Sequence, residues 1–342
     1  MNKIKIAVVE GDGIGKEVIP AAVDVLHAVG LDFENVPVEV GYGKWKRTGQ
    51  AMDEHDLDIM RSCDCILFGA ITTPNDPDYK SILVRIRQEL ELYANIRPFR
   101  SLNITIDSPY KPGPGHQFDF LIVRENTEGL YAGIEEFYED RACTTKLVTK
   151  NGTIRIAKMA CKLAKERKNR LTIVHKANVI KSCRFFSDIC VDIAKQNNVQ
   201  YNEMLVDTMA YNLIRNPEKY DVLVMSNLFG DILSDMSAAL VGSLGLCPSS
   251  NIGEDHALFE PVHGSAPDIA GKGIANPIAA ILSAKLLLTW VQEFNKADLV
   301  QEAVDHVLES GIKTIDLGGS KSTTDVSGAV IDYITTQFSP AT

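Results

Sequence analysis

Three arginines carry the first chemical signal in this sequence. Arg87 lies near the end of an amphipathic stretch, Arg97 stands directly before Pro98 and so in extended backbone, and Arg124 closes the apolar run Phe120 to Val123. The end of a strand is where α/β proteins place ligands. Taken singly, each arginine reads better as a surface ion-pair partner. Together, three planar guanidinium forks at element ends make a candidate carboxylate clamp, because each fork can grip two oxygens at once. Two aspartates give the second signal. Asp231-Ile-Leu-Ser-Asp235 sets two carboxylates at i and i+4 on one helix face, with Asp231 expected near the positive N-terminal end. The dipole alone can favour Asp231, but Asp235 lies one turn deeper and gains little from it. A shared divalent cation accounts for the pair, and oxygen ligands without His or Cys favour Mg²⁺ or Mn²⁺ over zinc.

Two further segments invite a nucleotide reading. Gly11-Asp12-Gly13-Ile14-Gly15 follows a strand and opens a helix, yet a dinucleotide fingerprint needs its third glycine at position 16, which is Lys16. A tight structural turn is the better reading. The long segment from Glu260 to Pro277 holds two proline-bounded turns, three glycines and polar groups that could meet a nucleotide.

Apolar β-branched runs alternate with helical patterns and must position these groups. Ile4 to Val9, Cys65 to Phe68, Phe120 to Val123, Leu171 to Val174 and Val222 to Met225 read as buried strands. Gly15 to Val29, Tyr79 to Leu92, Thr153 to Arg167, Ser182 to Gln196, Asp231 to Leu244 and Pro277 to Val291 read as helices. The fold class is α/β. Pro98 with the loop from Ser108 to His116, and the run Cys247 to Gly253, mark expected crossings between domains. A large domain, 1–98 with 248–342, is thus expected to wrap an inserted small domain, 99–247.

The 342 residues carry 35 Lys and Arg against 45 Asp and Glu, a net charge of −10, which argues against nucleic-acid binding. The same balance repels small anions, so an anionic substrate needs a local positive cluster. No apolar run approaches the roughly 18 residues of a membrane span, and a soluble cytoplasmic protein is expected. Seven cysteines at irregular spacing, without CxxC, read as free buried thiols.

Six motifs, in order along nearly the whole chain, resemble the signatures of the isocitrate/isopropylmalate dehydrogenase family. They are Gly11 to Gly15, Leu92-Tyr-Ala-Asn-Ile-Arg-Pro98, Arg124-Glu-Asn-Thr-Glu-Gly-Leu-Tyr131, His175-Lys-Ala-Asn-Val179, Asn227-Leu-Phe-Gly-Asp-Ile-Leu-Ser-Asp235 and Val262 to Pro277. The resemblance implies a two-domain α/β fold without the standard Rossmann fingerprint. It also implies oxidative decarboxylation of a 3-substituted malate by a nicotinamide cofactor with Mg²⁺ or Mn²⁺, in a homodimer with shared active sites. On that basis Arg87, Arg97 and Arg124 fall on the clamp for the malate core. Asp231 and Asp235 fall on metal ligands, with Asp207 as the third, contributed by the neighbouring subunit. Tyr131 and Lys176 fall on the catalytic pair: Lys176, also crossing the dimer interface, takes part as base toward the C2 hydroxyl, and Tyr131 assists protonation of C3.

The same resemblance assigns Thr72, His263, Gly264, Ser265 and Asn276 to the cofactor. Asp268-Ile269 occupies the positions where NADP-using members show Lys-Tyr. An aspartate accepts hydrogen bonds from a free ribose diol and repels a 2′-phosphate, which implies NAD. The acid is set by Tyr79-Lys-Ser-Ile-Leu-Val84. Leu83 replaces the asparagine typical of isocitrate enzymes. Leu83, Val84 and Val179 of the neighbouring subunit match the apolar wall of isopropylmalate enzymes. Lys80 and Ser81, however, resemble the Tyr-Lys-Ser run of archaeal homoisocitrate dehydrogenases, where a distal carboxylate would meet Ser81 or Lys80. The expected order is homoisocitrate, then isocitrate, with 3-isopropylmalate the alternative. A noncatalytic regulatory subunit is a further alternative, disfavoured because Tyr131, Lys176, Asp207, Asp231 and Asp235 are all present.

Overall fold

The computed structural model describes residues 3–76, 79, 81–102, 104 and 117–338. The apolar runs form the strands expected of them. In chain order the elements are β1 (Ile4–Gly11), α1 (Gly15–Ala28), β2 (Phe33–Pro37), α2 (Tyr42–Thr48), α3 (Glu54–Arg61), β3 (Cys65–Ala70), α4 (Ile82–Glu89), β4 (Ala94–Arg100) and β5 (Asp119–Glu125). Next come β6 (Glu135–Phe137), β7 (Ala142–Thr144), α5 (Lys150–Lys165), β8 (Arg170–His175), α6 (Lys181–Gln196), β9 (Gln200–Leu205), α7 (Val206–Arg215), β10 (Val222–Met225) and α8 (Asn227–Val241). The chain closes with β11 (Pro248–Ile252), β12 (Ala257–Pro261), α9 (Ile278–Trp290), α10 (Phe294–Glu309) and α11 (Thr323–Phe338).

Ten strands form one sheet in the order β2-β1-β3-β12-β11-β4-β5-β10-β8-β9, and β6 and β7 pair separately as a short hairpin. Two parallel runs flank the sheet, β2-β1-β3-β12 and β5-β10-β8-β9, while neighbours within β12-β11-β4-β5 pair antiparallel. The parallel runs are built as buried parallel strands should be: β3 and β10 are buried along their whole length, with α1 and α9 packed on β3 and α5 on β10. The central antiparallel strands differ, because they bury Asn95, Arg97, Arg124, Ser249, Asn251 and Glu260.

Local details differ from the sequence pattern. Pro98, at one expected crossing, lies within β4, past Ile96 where the pairing with β11 ends, so that neighbour does not demand its missing N–H. Cys247 to Gly253 is largely strand β11, paired on both sides; tertiary pairing overrides the turn-like composition of Pro-Ser-Ser-Asn. Helix α8 begins at Asn227, so Asp231 is its fifth residue and lies beyond the N-terminal turn where the dipole acts. The loop from Ser108 to His116 and Lys80 lie outside the described residues. All seven cysteines are free, six of them buried, but Cys143 on β7 is exposed. Among the described residues no helix is long and apolar enough to cross a membrane.

Candidate active site

The three arginines reach one region from three elements. Arg87 comes from the last turn of α4, Arg97 from β4 and Arg124 from β5, and all three are buried. Pleating explains the direction: Asn95 pairs with Arg124 across β4-β5 and with Asn251 across β4-β11, so this set shares one sheet face with Arg97, two residues on from Asn95. Gly230 of α8 permits close approach, since a Cβ there would lie 2.5 Å from the Arg124 Cγ.

Carboxylates and amides hold each guanidinium. Arg124 donates to Asp231 Oδ1 at 2.6 Å and to Asn227 Oδ1 at 2.7 Å. Arg97 donates to Asn95 Oδ1 at 2.8 Å, Ser234 Oγ at 2.7 Å and Asp235 Oδ1 at 3.3 Å. Arg87 donates to Glu260 Oε1 at 2.8 Å, in a pair whose side chains are 8% and 7% exposed. Burial, then repulsion from Arg87, lowers both Arg97 and Arg124, the latter to about 10, so both stay charged at neutral pH. The Nε atoms of Arg87 and Arg124 are buried without a hydrogen-bond partner among the described residues. Each guanidinium thus faces one carboxylate, so the three charges are balanced, and the unpaired Nε donors are what the cluster keeps available to a further anion.

Tyr131 lies beyond β5 in a short 3₁₀ turn and donates its hydroxyl to Asp231 Oδ2 at 2.6 Å. Burial, then this carboxylate, raises the phenol to about 12, so it is a proton donor at neutral pH. Asp231 is lowered: burial pushes it up, but Arg124, the Tyr131 hydroxyl, Arg97 and Arg87 together outweigh that push. Asp235 is raised, by burial ahead of repulsion from Asp231, although 63% of its side chain meets solvent and screens the effect. The two aspartates do share a helix face beside the arginines. No cluster of three or more metal-ligating side chains occurs among the described residues.

Lys176 and Asp207 stand apart. Lys176 Nζ lies 2.6 Å from Asp207 Oδ1, with side chains 28% and 60% exposed, and this hydrogen bond lowers the carboxylate. Neither has a hydrogen bond or ion pair with Tyr131, Asp231, Asp235 or the arginines among the described residues. Val179 is 72% exposed, and Ile180, Phe185, Tyr211, Ile214 and Ile232 are exposed apolar side chains of the same half of the sheet.

A cleft of about 170 Å³ is lined by Ser81, Leu83, Arg87, Arg97, Glu260, His263 and Gly264, together with residues from the 68–73 segment. It thus joins the expected substrate residues to part of the expected cofactor loop. Ser81 caps α4, its Oγ accepting weakly from Val84 N at 3.5 Å, and its O–H donates to no other group among the described residues. Val84 is half-buried and does not line the cleft.

The glycine turn that fails as a fingerprint organises the other wall. Gly13 has a φ of 55° and a Cβ there would sit 2.0 Å from the Ser265 carbonyl oxygen, which accepts from Ile14 N at 2.9 Å. Asp12 accepts from the backbone N–H groups of Thr72, Tyr42 and Gly43 at 2.8–3.0 Å, and Thr72 donates to Ser265 Oγ at 2.7 Å. The turn therefore binds protein loops to one another. His263 Nδ1 lies 3.0 Å from the Gly264 carbonyl, while its Nε2 is buried without a partner among the described residues. Burial lowers this imidazole and keeps it neutral. Asp268 is exposed, Ile269 half-buried, and Asn276 donates to Asp316 and accepts from Ile278 N at the start of α9.

The isocitrate/isopropylmalate dehydrogenase family model matches residues 5–330. The chain belongs to this family. Homoisocitrate dehydrogenase of Methanocaldococcus jannaschii is 44% identical over 97% of this chain and 98% of its own length, and the 3-isopropylmalate/3-methylmalate dehydrogenase of that organism is 46% identical over 95% and 97%. Among solved structures, isocitrate dehydrogenase from Methylococcus capsulatus superposes with a TM-score of 0.92 at 38% identity, over 97% of this chain and 99% of that one. The β-decarboxylating dehydrogenase of Thermococcus kodakarensis gives 0.85 at 42% identity, over 98% and 97%. As a family member the chain is an oxidoreductase, a β-decarboxylating dehydrogenase.

Several residues of the site escaped the sequence reading. Asn95, Asn227 and Glu260 stand inside the quoted segments but carry no chemistry by spacing alone. Asn251 and Asp12 act through contacts between distant segments, for which the sequence offers no local signal.

Proposed function

We propose that this protein oxidatively decarboxylates a 3-substituted malate bearing a distal carboxylate, homoisocitrate before isocitrate, with NAD and Mg²⁺ or Mn²⁺. The observation that carries this reading is the buried arginine cluster beside two helix-borne aspartates, opening on a cleft that contains both Ser81 and Leu83. Arg87, Arg97 and Arg124 bind the malate-core carboxylates. Leu83 receives the methylenes, and the Ser81 hydroxyl donates to the distal carboxylate. Tyr131, protonated at neutral pH, supplies a proton at C3 once CO₂ has left.

Asp231 and Asp235 fit a hard cation as anionic oxygen donors on one helix face, and a third donor fits Asp207 of a neighbouring subunit, since one chain brings only two together among the described residues. A bound cation supplies Lewis-acid polarisation of the C2 oxygen, and NAD supplies the hydride acceptor. Lys176 of that neighbour takes the hydroxyl proton. The exposed apolar side chains around Val179 support such a homodimer, because exposed apolar patches mark association sites. For NAD, the exposed Asp268 carboxylate is available to a ribose diol, and the unpartnered His263 Nε2 supports a nucleotide beside that loop. The two-domain reading divides these roles: the cleft residues fall in 1–98 and 248–342, while Arg124, Tyr131 and the aspartates fall in 99–247. Seven unpaired cysteines support the cytoplasm, a reducing compartment.

3-Isopropylmalate is the second reading, favoured by Leu83 in the cleft wall. Comparing kcat/KM for the three acids with NAD and Mn²⁺ decides between them. Highest kcat/KM on homoisocitrate is expected, and a clear preference for 3-isopropylmalate overturns the assignment.

A further inference from the structure

The central strand β11 turns polar side chains into the core where a buried strand would ordinarily carry apolar ones. Ser249 and Asn251 are each 0% exposed, and Asn251 lies between Leu258 of β12 and Asn95 of β4. Buried amides are costly unless every group is paired. Here they pair with one another in a chain that ends on two substrate-clamp arginines.

The direction of that chain is dictated link by link. An ionised Glu260 only accepts hydrogen bonds, and its Oε1 receives Arg87 Nη2 and Asn251 Nδ2, both at 2.8 Å. The Asn251 amide must therefore turn its oxygen the other way, where it accepts from Asn95 Nδ2 and Asn126 Nδ2, both at 2.9 Å. Asn95 has then committed its amino group, also donating to Ser249 Oγ at 2.7 Å, so its oxygen accepts from Arg97 Nε at 2.8 Å. A reversed Asn251 would set amino group against amino group. Arg87 and Arg97 repel each other in a buried setting, and this chain links the two directly, while Ser234 and Asp235 hold Arg97 from its other side.

We propose that Asn251 is a positioning residue for substrate: through Glu260 and Asn95 it fixes Arg87 and Arg97 at the separation that grips the malate core. This role rests on the proposed function. Asn251 itself need not touch substrate.

The test is direct calorimetric binding of malate, the core common to all three candidate acids, to the full-length protein with Mn²⁺, together with thermal melts. Asn251→Asp keeps the shape but sets an acceptor against Glu260. It is expected to weaken malate binding about 10- to 100-fold, the loss anticipated for hydrogen bonds to charged groups. Asn95→Ala, which removes the next link, is expected to weaken binding by a similar factor, and Asn251→Asp combined with Asn95→Ala to weaken it no more than either change alone, a coupling that independent sites do not show. A merely structural role predicts a lowered melting temperature with malate binding undiminished in the folded variants, and that result overturns the proposal, as does a binding loss that simply adds in the combined variant. Should Asn251→Asp fail to fold, Asn95→Ala removes the next link, with binding loss again expected and unchanged binding again contrary. If the unsubstituted protein binds no malate, the proposed malate-core reading fails and the positioning role falls with it, a failure seen before any variant is made.

Discussion

The arginine cluster and the Lys176–Asp207 pair carry equally specific motifs, yet they are finished to different degrees. Around Arg87, Arg97 and Arg124 the carboxylates, amides and hydroxyls form a buried network within one chain. Lys176 and Asp207 hold each other near a surface with exposed apolar side chains. The difference teaches which groups the chain buries as it folds and which it leaves at its surface. A buried charge needs partners to be tolerated, and here only the Nε atoms of Arg87 and Arg124 lack them among the described residues, whereas an exposed pair is held by little beyond its own charges.

The largest effect expected from breaking this contrast is on turnover. Tyr131→Phe and Lys176→Ala should each lower kcat by about 10²- to 10⁴-fold, as for removal of a general acid or base. Mixing Lys176→Ala with Asp231→Asn protein should restore activity if sites are shared, and mixtures as inactive as their parents contradict sharing. Next comes stability. Arg87→Met strands the Glu260 carboxylate in the core and should cost about 3–5 kcal/mol in denaturant unfolding. Lys176→Ala should leave the unfolding midpoint unchanged; equal losses would erase the distinction between the two regions. Asp268→Lys with Ile269→Tyr should shift preference from NAD toward NADP, read as the ratio of kcat/KM values, because the repulsion of a 2′-phosphate is removed.

The smallest expected effect is on pH. Burial holds His175 and His263 below the ordinary imidazole value, Glu203 only partly opposing it at His175. Below about pH 6.5 the unfolded chain takes up protons that the folded chain refuses. Their contribution to stability is therefore complete above that pH and is lost as pH falls toward the folded values. The melting temperature should drop between pH 7.5 and 5.5, and His175→Gln should flatten the drop.

Much of the cluster was legible in sequence because strand ends and helix spacing are local properties. Arg97 before Pro98, Arg124 after an apolar run, and Asp231 with Asp235 at i and i+4 all reach the region that their spacing implied. The helix register was not, since the start of α8 at Asn227 is set by where β10 ends rather than by the aspartates. Nor was β11, whose Pro-Ser-Ser-Asn composition reads as a turn until strands from residues 94–96 and 257–261 enclose it. The Gly11 to Gly15 turn reads correctly as a structural turn, but its partners, the Ser265 carbonyl and the Thr72 loop, lie far along the chain and leave no trace beside it.

Oxidative decarboxylation is the central claim, and its stoichiometry tests it most directly. With homoisocitrate, NAD and Mn²⁺, the protein should release NADH and CO₂ in a ratio of one to one. NADH without CO₂, or neither product from any of the three acids, would contradict the account.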